Sequence, residues 1–368
     1  MTVRDIEEIL EAWAPKQVAW ERDNVGLQVG SSSKRVRRIL LSLDISDSVL
    51  REAVQKRVDL IITHHPLIFR PLRSVTNSDQ AGSLVTGLIQ NGIALYSAHT
   101  NLDFTQDGVS FALAHSLGLR EIRFLSGISG SLKKVAVFVP PDKVEAVASA
   151  MARAGAGVIG NYDHCSFRTA GTGTYRGTAG ARPFYGIAGK YERIQEVRLE
   201  MIVPQWALQQ TVRAMKESHP YEEVAYDVYS LANEDPNYGA GAVGDLSRKM
   251  RFGEFLSQVR KRLSSKSIRY TGDPRQRVRR VAVCGGSGSE LLAAAVQQKA
   301  DVFVTADVKY HTFQEAVGAI ALVDAGHYET EHVVLPQIAA RLNAAMQERG
   351  KRLSILTTKQ QRSPIRYF

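Results

Sequence analysis

Asp59-Leu60-Ile61-Ile62-Thr63-His64-His65-Pro66 places an apolar run between an acid and a pair of histidines. Its first five residues return as Asp301-Val302-Phe303-Val304-Thr305, 242 positions later. The same spacing relates Val36-Arg37-Arg38-Ile39 to Val278-Arg279-Arg280-Val281, and Ala53-Val54-Gln55 to Ala295-Val296-Gln297. A constant offset across separate matches means a gap-free repeat of one supersecondary unit. The unit reads as strand 38–43, helix 47–56 and strand 59–63, apolar runs flanking a helical pattern in the manner of buried parallel strands. A further echo, Ile93-Ala94-Leu95 and Ile320-Ala321-Leu322, leads to His99 and Asp103 in one half and to His327 and Glu331 in the other. Each half is therefore expected to be a βαβαβ unit of an α/β protein.

A different pattern separates the halves. Strands at 133–139, 165–173, 196–203 and 224–230 and helices at 142–154 and 206–217 give the order βαββαβ, which fits a ferredoxin-like sandwich. It has its own inner echo, FVPPDKVEAVASAM against IVPQWALQQTVRAM. Breaker-rich stretches at 126–130 and 233–237 read as loops on either side. The expected organisation is a discontinuous host domain, 1–130 and 233–368, with an inserted domain at 131–232.

The chain has 368 residues, 44% hydrophobic and 23% charged, as soluble globular proteins do. No window approaches the roughly 20 apolar residues of a membrane helix. Residues 1–10, with Arg4, Asp5, Glu7 and Glu8, read as an amphipathic helix start and not a signal peptide. Two scattered cysteines, Cys165 and Cys284, do not make a disulfide scaffold, and the expected compartment is the cytoplasm. The net charge of +10 is partly local, at Lys34, Arg35, Arg37 and Arg38 and at Arg275, Arg277, Arg279 and Arg280. A basic surface favours anionic partners such as nucleotides or nucleic acid. From charge alone a solvated basic face is the simpler reading, and no aromatic-and-basic stacking signature supports nucleic acid.

The chemistry-bearing residues sit at the ends of the expected strands, where open α/β sheets form their sites. Thr63-His64-His65-Pro66 follows one strand. Pro66 keeps His65 out of helical backbone, and adjacent side chains on an extended segment diverge, so the pair suits two neighbouring metals better than one. His99, Asn101 and Asp103 follow the strand at 93–96, Asp103 as a hard oxygen donor and His99 as a group that orients ligands or moves protons. His327 and Glu331 follow the strand at 320–323, four residues apart on a helix with a Leu335, Ile338, Leu342 and Met346 stripe. Three histidines and two carboxylates suit zinc, iron or manganese, and two such cations would activate a water between them. The expected metal ligands are His64, His65, Asp103, His327 and Glu331. Taken singly, each motif has a plainer reading as a loop hydrogen bond, a turn or a helix first turn.

Two further loops bear on the site. Asp307 and His311, in TADVKYH, occupy the repeat position of the His64-His65 loop. Asp307 is either a cap or a group that holds the site together, and His311 is a candidate general acid or base. The Gly285–Gly288 loop, in Cys284-Gly285-Gly286-Ser287-Gly288-Ser289, is either a phosphate cradle or, lacking a Walker lysine, a plain tight turn.

At DNVGLQVG (23–30), LIITHHPL (60–67), YSAHTNLD (96–103), TADVKYH (305–311) and DAGHYETE (324–331) the chain resembles the NGG-interacting-factor-like family, also called the type-two GTP cyclohydrolase I family. GTGTYRG (171–177) and HPYEEVAYDVY (219–229) resemble its longer bacterial branch, which carries a PII- or CutA-like insert. The resemblance implies a dinuclear metal site in a homohexameric toroid. It implies His65 and Asp103 on one metal, His64 and His327 on the other, and Glu331 bridging. The family name implies ring opening of GTP at C8. The expected function is a metal-dependent hydrolase of the GTP cyclohydrolase type acting on a nucleotide, with His311 or His99 moving protons. The alternatives are a non-enzymatic metal-binding regulator or chaperone with the insert as sensor, and a nucleic-acid-binding toroid.

Overall fold

The computed structural model describes residues 1–160 and 162–366. The chain divides into two compact units, Met1–Ser126 with Tyr238–Phe368, and Gly127–Asn237.

The first unit holds two sheets. One is ordered Gly26–Val29, Ala94–Ser97, Leu60–Thr63, Arg38–Ser42, Ser354–Thr357. The other is ordered Arg269–Thr271, Ala321–Asp324, Val302–Ala306, Arg277–Ser287, Glu234–Arg251, Leu119–Ser129. The repeat is visible in their registers. Ile39 pairs with Leu60 as Val281 pairs with Val302, and Leu60 pairs with Ala94 as Val302 pairs with Ala321, all parallel.

The aspartates that open the repeated runs tie each run to the strand beside it. Asp59 Oδ2 accepts from the backbone N–H groups of Arg37 and Arg38 at 2.8 and 3.0 Å. Asp301 Oδ2 accepts from those of Arg279 and Arg280 at 2.7 and 2.8 Å. In each half one carboxylate satisfies two amides at the start of the neighbouring strand.

The repeat extends further than the apolar runs show. Each parallel trio is closed by a short antiparallel edge strand, Leu27 pairing with Tyr96 and Tyr270 with Val323. Gly30 and Gly272, at equivalent positions, have φ of 108° and 115°. A Cβ would lie 2.8 Å from Ala94 Cβ at Gly30, and 3.0 Å from Ala321 Cβ at Gly272. Strands of three or four residues are too short to declare a period in sequence.

The central strands are buried on both faces, which is why they read as continuous apolar runs and not as alternation. Ile39, Leu41 and Ile62 pack with Ile6 and Leu342 on one face, while Leu40 and Ile61 pack with Val49 and Leu88 on the other. In the second sheet Val302 and Val304 pack with Phe252 and Val259, and Phe303 with Ala295 and Ala316. Burying each such side chain contributes about 1.5–3 kcal/mol.

The second unit is a four-stranded antiparallel sheet, ordered Phe167–Arg176, Tyr191–Pro204, Leu132–Val139, Tyr226–Ser230. With the helices Val144–Arg153 and Leu208–Ser218, the chain order is βαββαβ. Val135, Val137 and Leu199 of the sheet meet Val147, Met151 and Met215 of the helices in one buried cluster. Both cysteines are free thiols. Among the described residues no helix is long and apolar enough to cross a membrane.

Candidate metal centre

The site is assembled from strand ends of both sheets of the first unit. His64 and His65 extend the ladder beyond Leu60–Thr63, their N–H groups donating to Ser42 O at 3.2 Å and Leu43 O at 2.8 Å. That extended backbone splays the two rings, with centroids 5.0 Å apart and planes at 45°. His64 is fully buried, its Nδ1 2.7 Å from Ala98 O. His65 turns its Nδ1 to Asp44 Oδ1 at 2.7 Å. Asp103 ends the short helix Thr100–Asp103 and brings Oδ1 to 3.5 Å from His64 Nε2.

On the other side, Gly326, with φ of 96°, turns the chain so that a helix begins at His327. His327 and Glu331 then share a face, with Nε2 and Oε1 3.0 Å apart. The single helix expected to carry both this pair and the Leu335–Met346 stripe is broken by a 3-10 turn at His332–Val334 and resumes as Leu335–Glu348 with a proline in its first turn. The stripe of Leu335, Ile338, Leu342 and Met346 is buried.

Glu331 sits among three imidazoles. Its Oε2 is 3.0 Å from His65 Nε2, and its Oε1 is 3.8 Å from His64 Nε2. His65 Nε2 and His327 Nε2 are 3.4 Å apart. These distances group His64 with Asp103 and His65 with His327, opposite to the pairing that the family resemblance implied. The physical reason is the divergence of adjacent side chains, with Ala98 and Asp44 aiming the two rings to different sides.

The chemistry of these groups fits a divalent cation. His64 Nε2 is buried without a hydrogen-bond partner, an arrangement that is costly unless something fills it. Each ligand-type histidine has its Nδ1 on an oxygen (Ala98, Asp44 or Asp307), leaving Nε2 turned inward, as metal-binding histidines do. Two sets, His65, His327 and Glu331, and His64, His65 and His99, each bring their donor atoms within 4.8 Å of one another.

The electrostatics agree. Burial opposes protonation of His65, but Asp44 and Glu331 overcome it and hold the ring up at about 10. Burial is likewise overcome at His327 by Glu331 and Asp307, which hold it at about 9. Burial lowers His64 to about 3. Glu331 stays far below the usual carboxylate range despite burial, because His327 and His65 donate to it. Asp103 is pushed well up by burial and then by the charge of Glu331. Without a cation, protons on His65 and His327 balance Glu331.

His99 joins the cluster from the other side of His64, ring centroids 5.3 Å from His64 and 5.5 Å from His65. Its Nδ1 lies 2.9 and 3.0 Å from the two oxygens of Asp23, whose side chain is 1% exposed. Burial works against the Asp23 charge, but His99 and Thr100 donate to it and hold it at about 2.

Asp307 is a partner of the site, its Oδ2 2.6 Å from His327 Nδ1. His311 stands apart from the cluster, exposed on the helix Tyr310–Ala316 with Nδ1 3.2 Å from Gln314 Oε1. The glycine loop serves packing. The N–H groups of Gly285, Gly286 and Gly288 donate to the hydroxyls of Ser110, Thr330 and Thr305, so these amides are taken and form no phosphate cradle. A Cβ on Gly286 would overlap Glu331 Oε1.

Asp44 and Gln361 were not legible as site residues. Gln361 donates to Asp44 Oδ2 at 2.6 Å and accepts from Leu43 N at 2.6 Å, which fixes the carboxylate behind His65. No local motif marks an acid two residues past a strand or a glutamine 317 positions away. Asp23 had a signal, since it opens the DNVGLQVG stretch, but nothing in that stretch named its partner.

The chain is similar to known proteins along its whole length. A protein of Halalkalibacterium halodurans named "GTP cyclohydrolase 1 type 2 homolog" is 38% identical over 363 residues, 98% of this chain and 97% of its own length. A Bacillus subtilis protein of the same name is 37% identical over 367 residues, 99% and 98% of the two chains. The crystal structure of a Bacillus cereus protein related to NIF3 superposes with a TM-score of 0.86 at 37% identity, covering 100% of this chain and 99% of that one. The family described as Duf34/NIF3 (NGG1p interacting factor 3) matches residues 1–364. Since both sheets, the unit Gly127–Asn237 and every strand end that feeds the cluster fall within that match, the chain belongs to the Duf34/NIF3 family.

Proposed function

We propose that this protein is a metal-dependent hydrolase of the GTP cyclohydrolase type, acting on a nucleotide at a dinuclear centre of zinc, iron or manganese. The observation that carries the proposal is Glu331, a buried carboxylate among three imidazole Nε2 atoms, one of which, on His64, has no hydrogen-bond partner. The shared name of the full-length relatives supplies the reaction class. His64 and Asp103 would hold one cation and His65 and His327 the other, with Glu331 between them. When bound, the cations supply Lewis acidity that lowers the pKa of water and offsets developing negative charge.

The rest belongs to the chain. Ala98, Asp44 and Asp307 fix the three ligand rings. Asp23 fixes His99 through Nδ1, which leaves the other ring nitrogen to accept or donate a proton beside the cluster. Proton transfer is assigned to His99 ahead of the exposed His311. With the glycine amides occupied, basic side chains are left to meet the substrate's phosphates.

The test is GTP consumption by metal-reloaded protein. The proposal expects turnover that disappears on chelation and in Glu331→Gln, and that falls in Asp23→Asn while metal content is retained. Metal binding without turnover of any nucleoside triphosphate would replace it with a metal-binding regulator, a reading favoured by the separate βαββαβ unit, which we take as a ferredoxin-like, PII/CutA-like insert. Self-association as a homohexamer belongs to the same proposal and is checked by light scattering. Binding to DNA that falls steeply with salt would favour a nucleic-acid-binding ring.

A further inference from the structure

A cavity of about 560 Å³ lies within the unit Gly127–Asn237, where residues 177–190 join the strands Phe167–Arg176 and Tyr191–Pro204. Sites for small organic molecules span roughly 300–1,000 Å³. Connections of this length without strand or helix are uncommon unless they have a use. This one is tied in place. Arg182 N donates to Glu222 Oε1 at 2.6 Å, Gly189 N to Gly177 O at 2.8 Å, and the Tyr175 hydroxyl to Tyr185 O.

Four rings line the cavity: Phe138, Tyr175, Phe184 and Tyr221. Phe184 and Tyr185 lean on Tyr221, with centroids 6.2 and 6.5 Å away. The charged groups on the walls are Glu196, Glu222 and Glu223 against Arg176 alone. Glu222 is engaged with Arg182, whereas Glu196 lies across Gly173, where a Cβ would displace it. The Tyr221 hydroxyl is shut off from solvent and faces Glu196. Burial and the neighbouring Glu196 both keep its proton on.

We propose that this cavity binds a small protonated organic amine, its ammonium held by Glu196 and Tyr221 and its apolar body by Phe138, Tyr175 and Phe184. Aromatic faces attract cations. An anionic ligand would meet the excess of carboxylates, and an uncharged one would bury Glu196 without a counter-charge. The metal centre plays no part in this site, so the two proposals stand or fall separately.

The test is calorimetric titration of the full-length protein with 2-phenylethylamine, 2-phenylethanol and phenylacetate. The amine is expected to bind about tenfold or more tightly than either of the others. Glu196→Gln is expected to remove about tenfold of that affinity with metal content unchanged. Phe184→Ala, on a half-exposed wall residue, is expected to weaken the amine several-fold and serves if Glu196→Gln fails to fold. Equal binding of the three probes, stronger binding of phenylacetate, no binding of the amine, or full affinity in a folded Glu196→Gln or Phe184→Ala protein overturns the proposal.

Discussion

Asp307 holds His327 Nδ1 at 2.6 Å from a backbone turned to φ of 55°, a conformation that aspartate and asparagine adopt more readily than most residues. Asp307→Asn therefore keeps the turn and removes the charge behind the ring. The expected result is metal affinity about 10- to 100-fold weaker, read by competition with a chromogenic chelator. An unchanged affinity would show that the contact does not support the ligand.

The metal-free protein is expected to have a stability maximum near pH 6.5, the ordinary histidine value. His65 and His327 are raised to about 10 and about 9, so the fold favours their charged forms. Their contribution is complete below 6.5 and is lost as pH rises through those values. His64 is lowered to about 3, so the fold favours its neutral form, and that contribution is lost as pH falls from 6.5 towards 3. Cations replace the protons on His65 and His327, so metal loading should abolish the alkaline decline. Thermal unfolding across pH, with and without a chelator, measures this, and an alkaline limb that survives loading would contradict it.

Gly286, with φ of 61°, lies against Glu331 and His327. Gly286→Ala forces a Cβ onto Glu331 Oε1 from a left-handed backbone. It is expected to lower unfolding stability by roughly 2 kcal/mol and to reduce metal content in the purified protein. Wild-type metal content in this variant would mean that Glu331 can move without consequence for the site.

Asp59 and Asp301 perform one task in two sheets, each accepting two backbone N–H groups. Replacing either by alanine is expected to cost about 1–3 kcal/mol, and the double variant to cost the sum, because the two sites share no partner. Denaturant unfolding of the three variants measures this. A large loss for one and none for the other would show that the repeat is geometric but not energetic.

Much of this architecture was legible because it rests on short-range and periodic features. The offset of 242 between Asp59 and Asp301 marks two parallel units, since strands buried on both faces must be apolar throughout, and their lengths fix where His64, Asp103 and His327 leave the sheet. The i, i+4 spacing of His327 and Glu331 determines their shared face once Gly326 sets the helix start. Tertiary structure decided the rest. It grouped His64 with Asp103 and His65 with His327, supplied Asp23, Asp44 and Gln361 as orienting partners, and left His311 at the surface. Those outcomes depend on which strand ends face one another across two sheets. That is a matter of packing between segments hundreds of residues apart, which no local spacing encodes.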